Sequence, residues 1–320
     1  MSKMSIDLSK SSSSRLPLIR QTLSGDTMGT RYSAVFYAAP GTDVDALNGE
    51  LSAAVDCVDR QMSTWRADSD LNRLNASPVG TWMDVAPVLM TVLSASLRVE
   101  RISHGAFNIN VGDLVSAWGF GPSQGATRAS QLSKADRQMR PPASASIELD
   151  HHGRRARKSE TINLDLSGIA KGFGVDEMAG VMNAFRIPSW LVGIDGEMRA
   201  KGAKPDGSMW AVAHERPDRH VREAMGVIEL QDMAVATSGT YRHFREVDGR
   251  TVSHTMDPCS GRPLDNDVAS VTVLASTCMM ADAWATALMV LGVEAGLEAA
   301  RGQGIDAIYV LQDGNLHSTL

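Results

Sequence analysis

The spacing of apolar residues predicts helices in four parts of the chain. From Thr42, apolar residues recur every three or four positions, and Thr42 with Asp45 suggests a capping box at the helix start. A second helix is predicted from Asp84 to His104, where Gly105 is a stop signal. A third opens after Gly168, and a fourth contains residues 281–288. The apolar positions of the first helix are Val44, Leu47, Leu51, Val55, Val58 and Met62.

Runs rich in β-branched and aromatic residues predict strands between these helices. The strands arrive in pairs, without the regular strand-helix alternation of a doubly wound sheet. This order predicts an α+β fold with mainly antiparallel sheets and packed helices. The predicted strands are Gly29 to Phe36, Thr161 to Leu166, Trp190 to Ile194, Trp210 to His214, Gly226 to Leu230 and Val268 to Ala275.

The N-terminal segment is rich in serine and lacks an apolar run long enough for a signal-peptide core. We therefore expect a flexible tail over residues 1–20, a single domain over residues 21–320 and a cytoplasmic protein. Residues Gly121 to Ser146 are rich in Ser, Ala, Gln and Pro, which is typical of a surface excursion rather than an interdomain linker.

Composition narrows the class of protein. Of the 320 residues 43% are hydrophobic and 21% charged, as in a soluble globular protein. The net charge of −6 gives no general electrostatic reason to bind nucleic acid. The sequence contains no apolar stretch of about 18 residues, so membrane insertion is not expected. The three cysteines, Cys57, Cys259 and Cys278, are too few and too widely spaced for a disulfide framework or a zinc site.

Asp282 and Thr286 are the most informative pair in the chain. A spacing of four places the carboxylate and the hydroxyl on one face of the fourth helix, whose other residues are mostly apolar. Buried oxygen ligands need a partner, and Mg²⁺ prefers oxygen ligands. The alternative is a capped core helix in which Asp282 binds a neighbouring backbone.

Two further segments carry candidate chemistry. Residues 164–172 run from a predicted strand through Gly168 into a helix start, which would aim N–H groups and Lys171 at an anion; the alternative is an ordinary turn with a solvated lysine. His254 and Asp257 lie three residues apart before a turn, so His254 is a candidate general base or a structural histidine. The basic run from His151 to Lys158 is interpreted as a solvated turn.

Eight motifs occur in an order that resembles the ApbE family of FAD:protein FMN transferases over roughly residues 22–320. The resemblance implies an ApbE or T-fold-like architecture. The motifs are Met28-Gly29-Thr30, Met62-Ser63-Thr64-Trp65, Gly105-Ala106-Phe107-Asn108, Trp118-Gly119-Phe120-Gly121, Asp165 to Gly172, Ala236-Thr237-Ser238-Gly239, Ser253-His254 through Pro263, and Ala281-Asp282 to Leu288.

In the enzymes that this chain resembles, FMN is transferred from FAD to a Thr or Ser hydroxyl of a flavoprotein and AMP leaves. The resemblance implies that Mg²⁺ is held by Asp282, Thr286 and the carbonyl of Gly168. It also implies that His254 prepares the acceptor hydroxyl, while Mg²⁺ and Lys171 offset the charge on the leaving AMP. The positions that match the FAD pocket are Met28, Trp65, Ala106, Phe107, Asn108, Asp165, Lys171 and Met256.

The chain departs from the usual family pattern in places. Asn108 replaces an aspartate, Asp195-Gly196-Glu197 replaces Gly-Gly-Asp, and Cys259 replaces an arginine. These changes bear on FAD affinity and acceptor preference. Two alternatives to the transferase remain: a Mg²⁺-dependent FAD pyrophosphatase that gives FMN and AMP, and a non-catalytic FAD-binding assembly protein.

Overall fold

A computed structural model describes residues 17–122, 139–247 and 249–320. Most of the predicted tail and part of the predicted surface excursion lie outside these ranges. The helices are α1 (Val44–Met62), α2 (Asp70–Ala76), α3 (Pro87–Ile102), α4 (Gly112–Ala117), α5 (Ala143–Ser146), α6 (Ala170–Ala184), α7 (Cys278–Leu291) and α8 (Val293–Gln303). The strands are β1 (Ile19–Thr27), β2 (Thr30–Ala38), β3 (Met83–Asp84), β4 (Ile147–Asp150), β5 (Arg155–Lys158), β6 (Ser189–Ile194), β7 (Glu197–Lys201), β8 (Trp210–Glu215), β9 (Ala224–Leu230), β10 (Ala234–Gly239), β11 (Phe244–Val247), β12 (Arg250–Ser253), β13 (Met256–Asp257), β14 (Arg262–Pro263), β15 (Val268–Ala275), β16 (Asp306–Leu311) and β17 (Leu316–Ser318).

The largest sheet has eight strands in the order β1-β2-β6-β7-β10-β15-β16-β17. Neighbouring strands in it are antiparallel, as in the smaller sheets β3-β5-β4, β8-β9, β11-β12 and β13-β14. The predicted α+β class with mainly antiparallel sheets is therefore confirmed.

Helices α6 and α7 pack on one face of the large sheet, and the β8-β9 hairpin packs on the other. One buried cluster joins α1 and α6 to β2 and β6. A second joins α3 and α7 to β10, β15 and β16. Helices α6 and α7 lie side by side between the two clusters. Side chains at the contact between these helices are therefore packed against both clusters.

Helix α1 confirms the apolar face predicted from the sequence, with Leu47, Leu51, Val55 and Val58 almost fully buried. The predicted capping box is wrong by one residue. The Asp43 side chain accepts the 2.9 Å hydrogen bond from the backbone N–H of Ala46, whereas the Thr42 hydroxyl donates to the carbonyl of Ala39 at 2.8 Å. Thr42 belongs to the preceding turn, and Asp43 caps the helix.

The segment from Thr161 to Leu166 is not the predicted strand. It joins no sheet, because its backbone binds isolated partners instead of a neighbouring strand. The N–H of Gly112 donates to the carbonyl of Asn163 at 2.9 Å, and the N–H of Asp165 donates to the carbonyl of Ile109 at 2.8 Å.

Other boundaries also differ from the sequence analysis. Strand β1 begins at Ile19, inside the predicted tail. The basic run is only partly a turn, because Arg155 to Lys158 form β5 and the Lys158 side chain is buried. All three cysteines are free thiols. No helix in the described ranges combines the length and the apolar character needed to cross a bilayer.

Candidate active site

The N-terminal part of α6 touches the first turns of α7 at Gly172. A Cβ at Gly172 would lie 2.3 Å from the carbonyl oxygen of Cys278 and 2.7 Å from the Cβ of Asp282, so only glycine allows this approach. The backbone N–H of Gly172 donates a 3.0 Å hydrogen bond to Oδ2 of Asp282. The predicted metal ligand on α7 is thereby fixed at the start of α6.

Asp176, also on α6, holds the beginning of α7. Its two carboxylate oxygens accept hydrogen bonds of 2.9 Å from the backbone N–H groups of Cys278 and Met279, and Arg199 donates to Oδ1 at 2.7 Å. The N-cap residue of α7, Thr277, makes no side-chain capping bond. Asp176 therefore serves as the cap from a neighbouring helix.

Thr286 lies one turn after Asp282 and meets two other segments. Its Oγ1 is 3.2 Å from Oγ of Ser238 in β10. A Cβ at Gly168 would lie 3.0 Å from the same oxygen, so Gly168 packs directly against Thr286. The structure thus brings Gly168, Asp282 and Thr286 together, and their role as metal ligands stays a prediction.

Lys171 lies in the first turn of α6 beside this group. Its Nζ donates to Oε1 of Glu197 at 2.8 Å and is 3.7 Å from Oδ2 of Asp195. Burial would lower the pKa of Lys171, but the charges of Glu197, Asp282 and Asp195 outweigh it and raise the pKa above its usual value. Lys171 is therefore a fixed cation rather than a proton donor.

Two buried carboxylates, those of Asp282 and Glu197, interact with the charge of Lys171. Burial raises the pKa of Asp282 to about 7, with the Glu197 charge adding to the rise and Lys171 opposing it. Burial also raises the pKa of Glu197 against the influence of Lys171, and Oε2 of Glu197 has no hydrogen-bond partner among the described residues. The carboxyl groups of Asp195, Glu197 and Asp282 thus surround a single ammonium group, that of Lys171.

His254 follows β12, and its ring is half-buried. Nδ1 lies 3.1 Å from the carbonyl oxygen of His243, and because a carbonyl can only accept, Nδ1 carries the hydrogen and Nε2 keeps its lone pair. Burial, together with the charges of His243 and Lys171, lowers the pKa of His254 to about 4. The imidazole is neutral at pH 7 and can accept a proton at Nε2.

Apart from Lys171, the residues that match the FAD pocket fall into three groups. Phe107 contacts the Gly168 position, where a Cβ would lie 3.4 Å from its ring, and it lies between Ala106 and Asn108 in sequence. Asp165, three residues before Gly168, accepts a 2.7 Å hydrogen bond from the N–H of Ser167. All four are buried.

The second group consists of two methionines, Met28 and Met256, which pack against different clusters. The Met28 methyl group would lie 3.3 Å from a Cβ at Gly174 of α6, so Met28 borders the same helix as Lys171. Met256 is buried in a small cluster with Leu114 and Trp118. Trp65 alone forms the third group: it lies in the loop before α2 and is 57% exposed.

The donor set fits a hard divalent cation. One buried carboxylate, one hydroxyl and one backbone carbonyl are oxygen ligands of the kind that Mg²⁺ takes together with phosphate oxygens. The described ranges contain no group of three or more His, Cys, Asp or Glu side chains that could hold a metal.

Sequence reasoning assigned no role to Ser238, Glu197 or Asp176. Ser238 contacts Thr286 and Glu197 contacts Lys171, whereas Asp176 holds the start of the helix that carries Asp282 and Thr286. Ser238 lies in one of the eight family motifs, and Glu197 lies in a segment that departs from the family pattern. The family resemblance was therefore the signal that could have identified both residues. Asp176 has no such signal, because its partners are 102 and 103 residues away along the chain.

Comparisons with known proteins identify the family of this chain. The chain is 39% identical to a FAD:protein FMN transferase of Vibrio cholerae over 91% of this chain and 87% of that one, and 32% identical to that of Escherichia coli K12 over 93% and 86%. Its structure resembles the apo form of the flavinyl transferase ApbE of Pseudomonas stutzeri, with a TM-score of 0.83, 36% identity and 95% coverage of each chain. The ApbE protein of Thermotoga maritima shares the fold, with a TM-score of 0.84 at 23% identity. Because the model of the ApbE family also matches residues 28–309, this chain belongs to the ApbE family.

Proposed function

We propose that the chain transfers FMN from FAD to a Thr or Ser hydroxyl of an acceptor flavoprotein, with Mg²⁺ as cofactor and AMP as the leaving group. The relatives named FAD:protein FMN transferases support the FAD substrate and the protein acceptor. The observation that carries the proposal is the meeting of Asp282, Thr286 and Gly168 beside the Lys171 cation.

Three groups of this chain would hold Mg²⁺: the Asp282 carboxylate, the Thr286 hydroxyl and the Gly168 carbonyl. The bound ion would stabilise the negative charge that develops on the phosphate oxygens of FAD. Lys171 adds a cation that three neighbouring carboxylates keep protonated. These residues orient the pyrophosphate and neutralise charge, which is the main requirement of phosphoryl transfer.

His254 would act on the acceptor. A Thr or Ser hydroxyl is a weak nucleophile at neutral pH, and the neutral Nε2 of His254 can take its proton. The acceptor oxygen then forms a bond to the FMN phosphorus. The bond from this phosphorus to the bridging oxygen breaks, and that oxygen leaves as part of AMP.

Intact-mass analysis of an acceptor flavoprotein tests the proposal. With wild-type chain, FAD and Mg²⁺, the acceptor should gain the mass of one FMN less one water, and AMP should appear in equal amount. Replacing the acceptor Thr or Ser by Ala should abolish both. Absence of the adduct with acceptors that the related transferases modify would contradict the proposal.

An acceptor-free reaction distinguishes the two alternatives. Rapid Mg²⁺-dependent release of FMN and AMP without acceptor would indicate a FAD pyrophosphatase in which water attacks. Tight FAD binding with neither transfer nor hydrolysis would indicate an assembly protein. The proposal also includes a cytoplasmic location, which fractionation of cells that express the full gene would test.

A further inference from the structure

Helix α2 lies outside the predicted elements and carries two asparagines, Asn72 and Asn75. Both side chains bind the backbone of segments that carry proposed FAD-pocket residues. Asn72 binds the loop of Trp65, and Asn75 binds the segment that leads to Asp165 and Gly168.

The Asn72 amide fixes the Trp65 loop from both sides. Nδ2 donates to the carbonyl of Thr64 at 3.0 Å and to the carbonyl of Arg66 at 2.8 Å, the residues immediately before and after Trp65. Ser69, the N-cap of α2, donates from Oγ to the carbonyl of Ser63 at 2.7 Å. Since the Trp65 side chain is exposed, these polar contacts rather than burial determine where its backbone lies.

The Asn75 amide makes a two-pronged contact with Leu164. Nδ2 donates to the Leu164 carbonyl at 2.9 Å, and Oδ1 accepts from the Leu164 N–H at 2.8 Å. A strand neighbour would offer the same pair of bonds, but the segment from Thr161 to Leu166 has none. Leu164 directly precedes Asp165 and lies four residues before Gly168.

Packing contributes little on the side of this contact that faces solvent. An open hollow of about 460 Å³ is lined by parts of α2 and by residues 161–163, with Asn72, Asn75 and Asp113 among its lining residues. The buried Lys158 ammonium donates to the carbonyl of Asn75 and so holds the end of α2 in place. Hydrogen bonds therefore connect α2 to both segments around a solvent-open space.

We propose that Asn72 and Asn75 are positioning residues of the FAD pocket: one short helix sets the distance between the Trp65 wall and the wall formed by Asp165 and Gly168. The inference rests on the proposed function, which places FAD between these walls. Neither asparagine touches the reacting atoms. Their effects differ, because only Asn75 acts on a segment that contains a proposed metal ligand.

Four variants of the full chain test the inference: Asn72→Ala, Asn75→Ala, Asn75→Asp and Arg73→Ala. Asn75→Asp keeps the shape and the acceptor but loses the donor, and so remains informative if Asn75→Ala fails to fold. Arg73 is the control, because it lies on α2 between the asparagines, is exposed and forms an ion pair with Asp70 of the same helix. The readouts are the FAD Kd by titration of flavin fluorescence, the Mg²⁺ concentration for half-maximal transfer, and the Tm.

Loss of these hydrogen bonds should raise the FAD Kd about tenfold in all three asparagine variants. The Mg²⁺ requirement should rise with both Asn75 variants and stay at the wild-type value with Asn72→Ala. Arg73→Ala should change neither. A lower Tm with wild-type FAD Kd in the asparagine variants would overturn the inference, because the helix would then be structural only.

The FAD Kd separates this inference from the proposed function. If the wild-type chain binds FAD but modifies no acceptor, the proposed function fails, while a raised Kd in the asparagine variants still supports the positioning role. If the wild-type chain binds no FAD, the positioning inference falls with it.

Discussion

The backbone N–H of Gly172 and the buried carboxylate of Asp282, 110 residues apart in the chain, form a 3.0 Å hydrogen bond. This bond joins the start of α6 to the second turn of α7. It makes the position of the proposed metal ligand depend on a contact that only glycine allows.

Substitution of Gly172 should show how tight this contact is. Gly172→Ala places a methyl group within 2.3 Å of the Cys278 carbonyl oxygen, so α6 and α7 must separate. We expect a loss of about 1–3 kcal/mol in the free energy of unfolding and a lower affinity for Mg²⁺. Gly180→Ala is the control on the same helix: a Cβ there has no neighbour within 4 Å, and the variant should gain about 0.5–1 kcal/mol. Equal stability of the two variants in urea denaturation would contradict the contact.

The Thr286 hydroxyl should be required, and its methyl group should not. Thr286→Val keeps the shape of the side chain and removes the oxygen, so transfer should fall at least about 100-fold as metal affinity is lost. Thr286→Ser keeps the oxygen and should retain most of the activity. Mg²⁺ titrations of the initial rate distinguish the two variants. A Thr286→Val variant with the wild-type Mg²⁺ dependence would exclude Thr286 as a ligand.

Glu197 should need Lys171 for the stability of the fold, whereas transfer should need the Lys171 charge whether or not Glu197 is present. Lys171→Met leaves the Glu197 carboxylate buried without its cation, which should cost about 3 kcal/mol in the free energy of unfolding. The double variant Lys171→Met with Glu197→Gln should recover part of this stability but no transfer activity. Thermal unfolding and intact-mass assays of the single and double variants complete the cycle. Recovery of activity in the double variant would show that the Lys171 charge is not needed.

His254 should remove a proton without being needed to bind FAD. His254→Gln should keep the FAD Kd within about twofold and lower the transfer rate at least about 100-fold. His317→Gln, at an exposed position on β17, is the matched control and should behave as wild type. Stopped-flow mixing with FAD and the acceptor separates binding from transfer. Undiminished transfer by the His254 variant would remove the proposed base.

The low pKa of His254 has a second consequence, for stability. The pKa of His254 is about 4 in the folded chain, against its ordinary value of 6.5. At a pH between these two values His254 therefore binds a proton more readily in the unfolded chain than in the folded one. Protonation of His254 in the unfolded chain therefore lowers the free energy of unfolding as the pH falls from about 6.5 towards 4. Urea denaturation across this range should show a shallower decline for His254→Gln than for wild type. An equally steep decline would indicate that His254 keeps its ordinary pKa.

Local patterns predicted the elements that bury one continuous face. The apolar positions of α1 gave that helix from sequence alone, and the spacing of Asp282 and Thr286 placed both on α7 before any contact was known. These features depend on residues within a few turns of one another. The family resemblance then predicted which distant segments meet.

Local sequence patterns could not predict the elements whose positions depend on residues far away in the chain or on irregular backbone contacts. The segment from Thr161 to Leu166 has the composition of a strand, but Asn75 and Ile109 bind its backbone where a strand neighbour would be needed. Helix α2 has only seven residues, too few for a periodic signal. The Lys171 partner Glu197 lies 26 residues away, and no spacing rule joins the two.

The central claim is that Asp282, Thr286 and the Gly168 carbonyl bind the metal that contacts the FAD phosphates. Anomalous diffraction from crystals grown with FAD and Mn²⁺, a substitute for Mg²⁺, tests it most directly. We predict an anomalous peak about 2.0–2.3 Å from Oδ of Asp282, Oγ1 of Thr286 and the Gly168 oxygen, next to the pyrophosphate. A metal bound elsewhere, with these three groups free of it while FAD is present, would contradict the account.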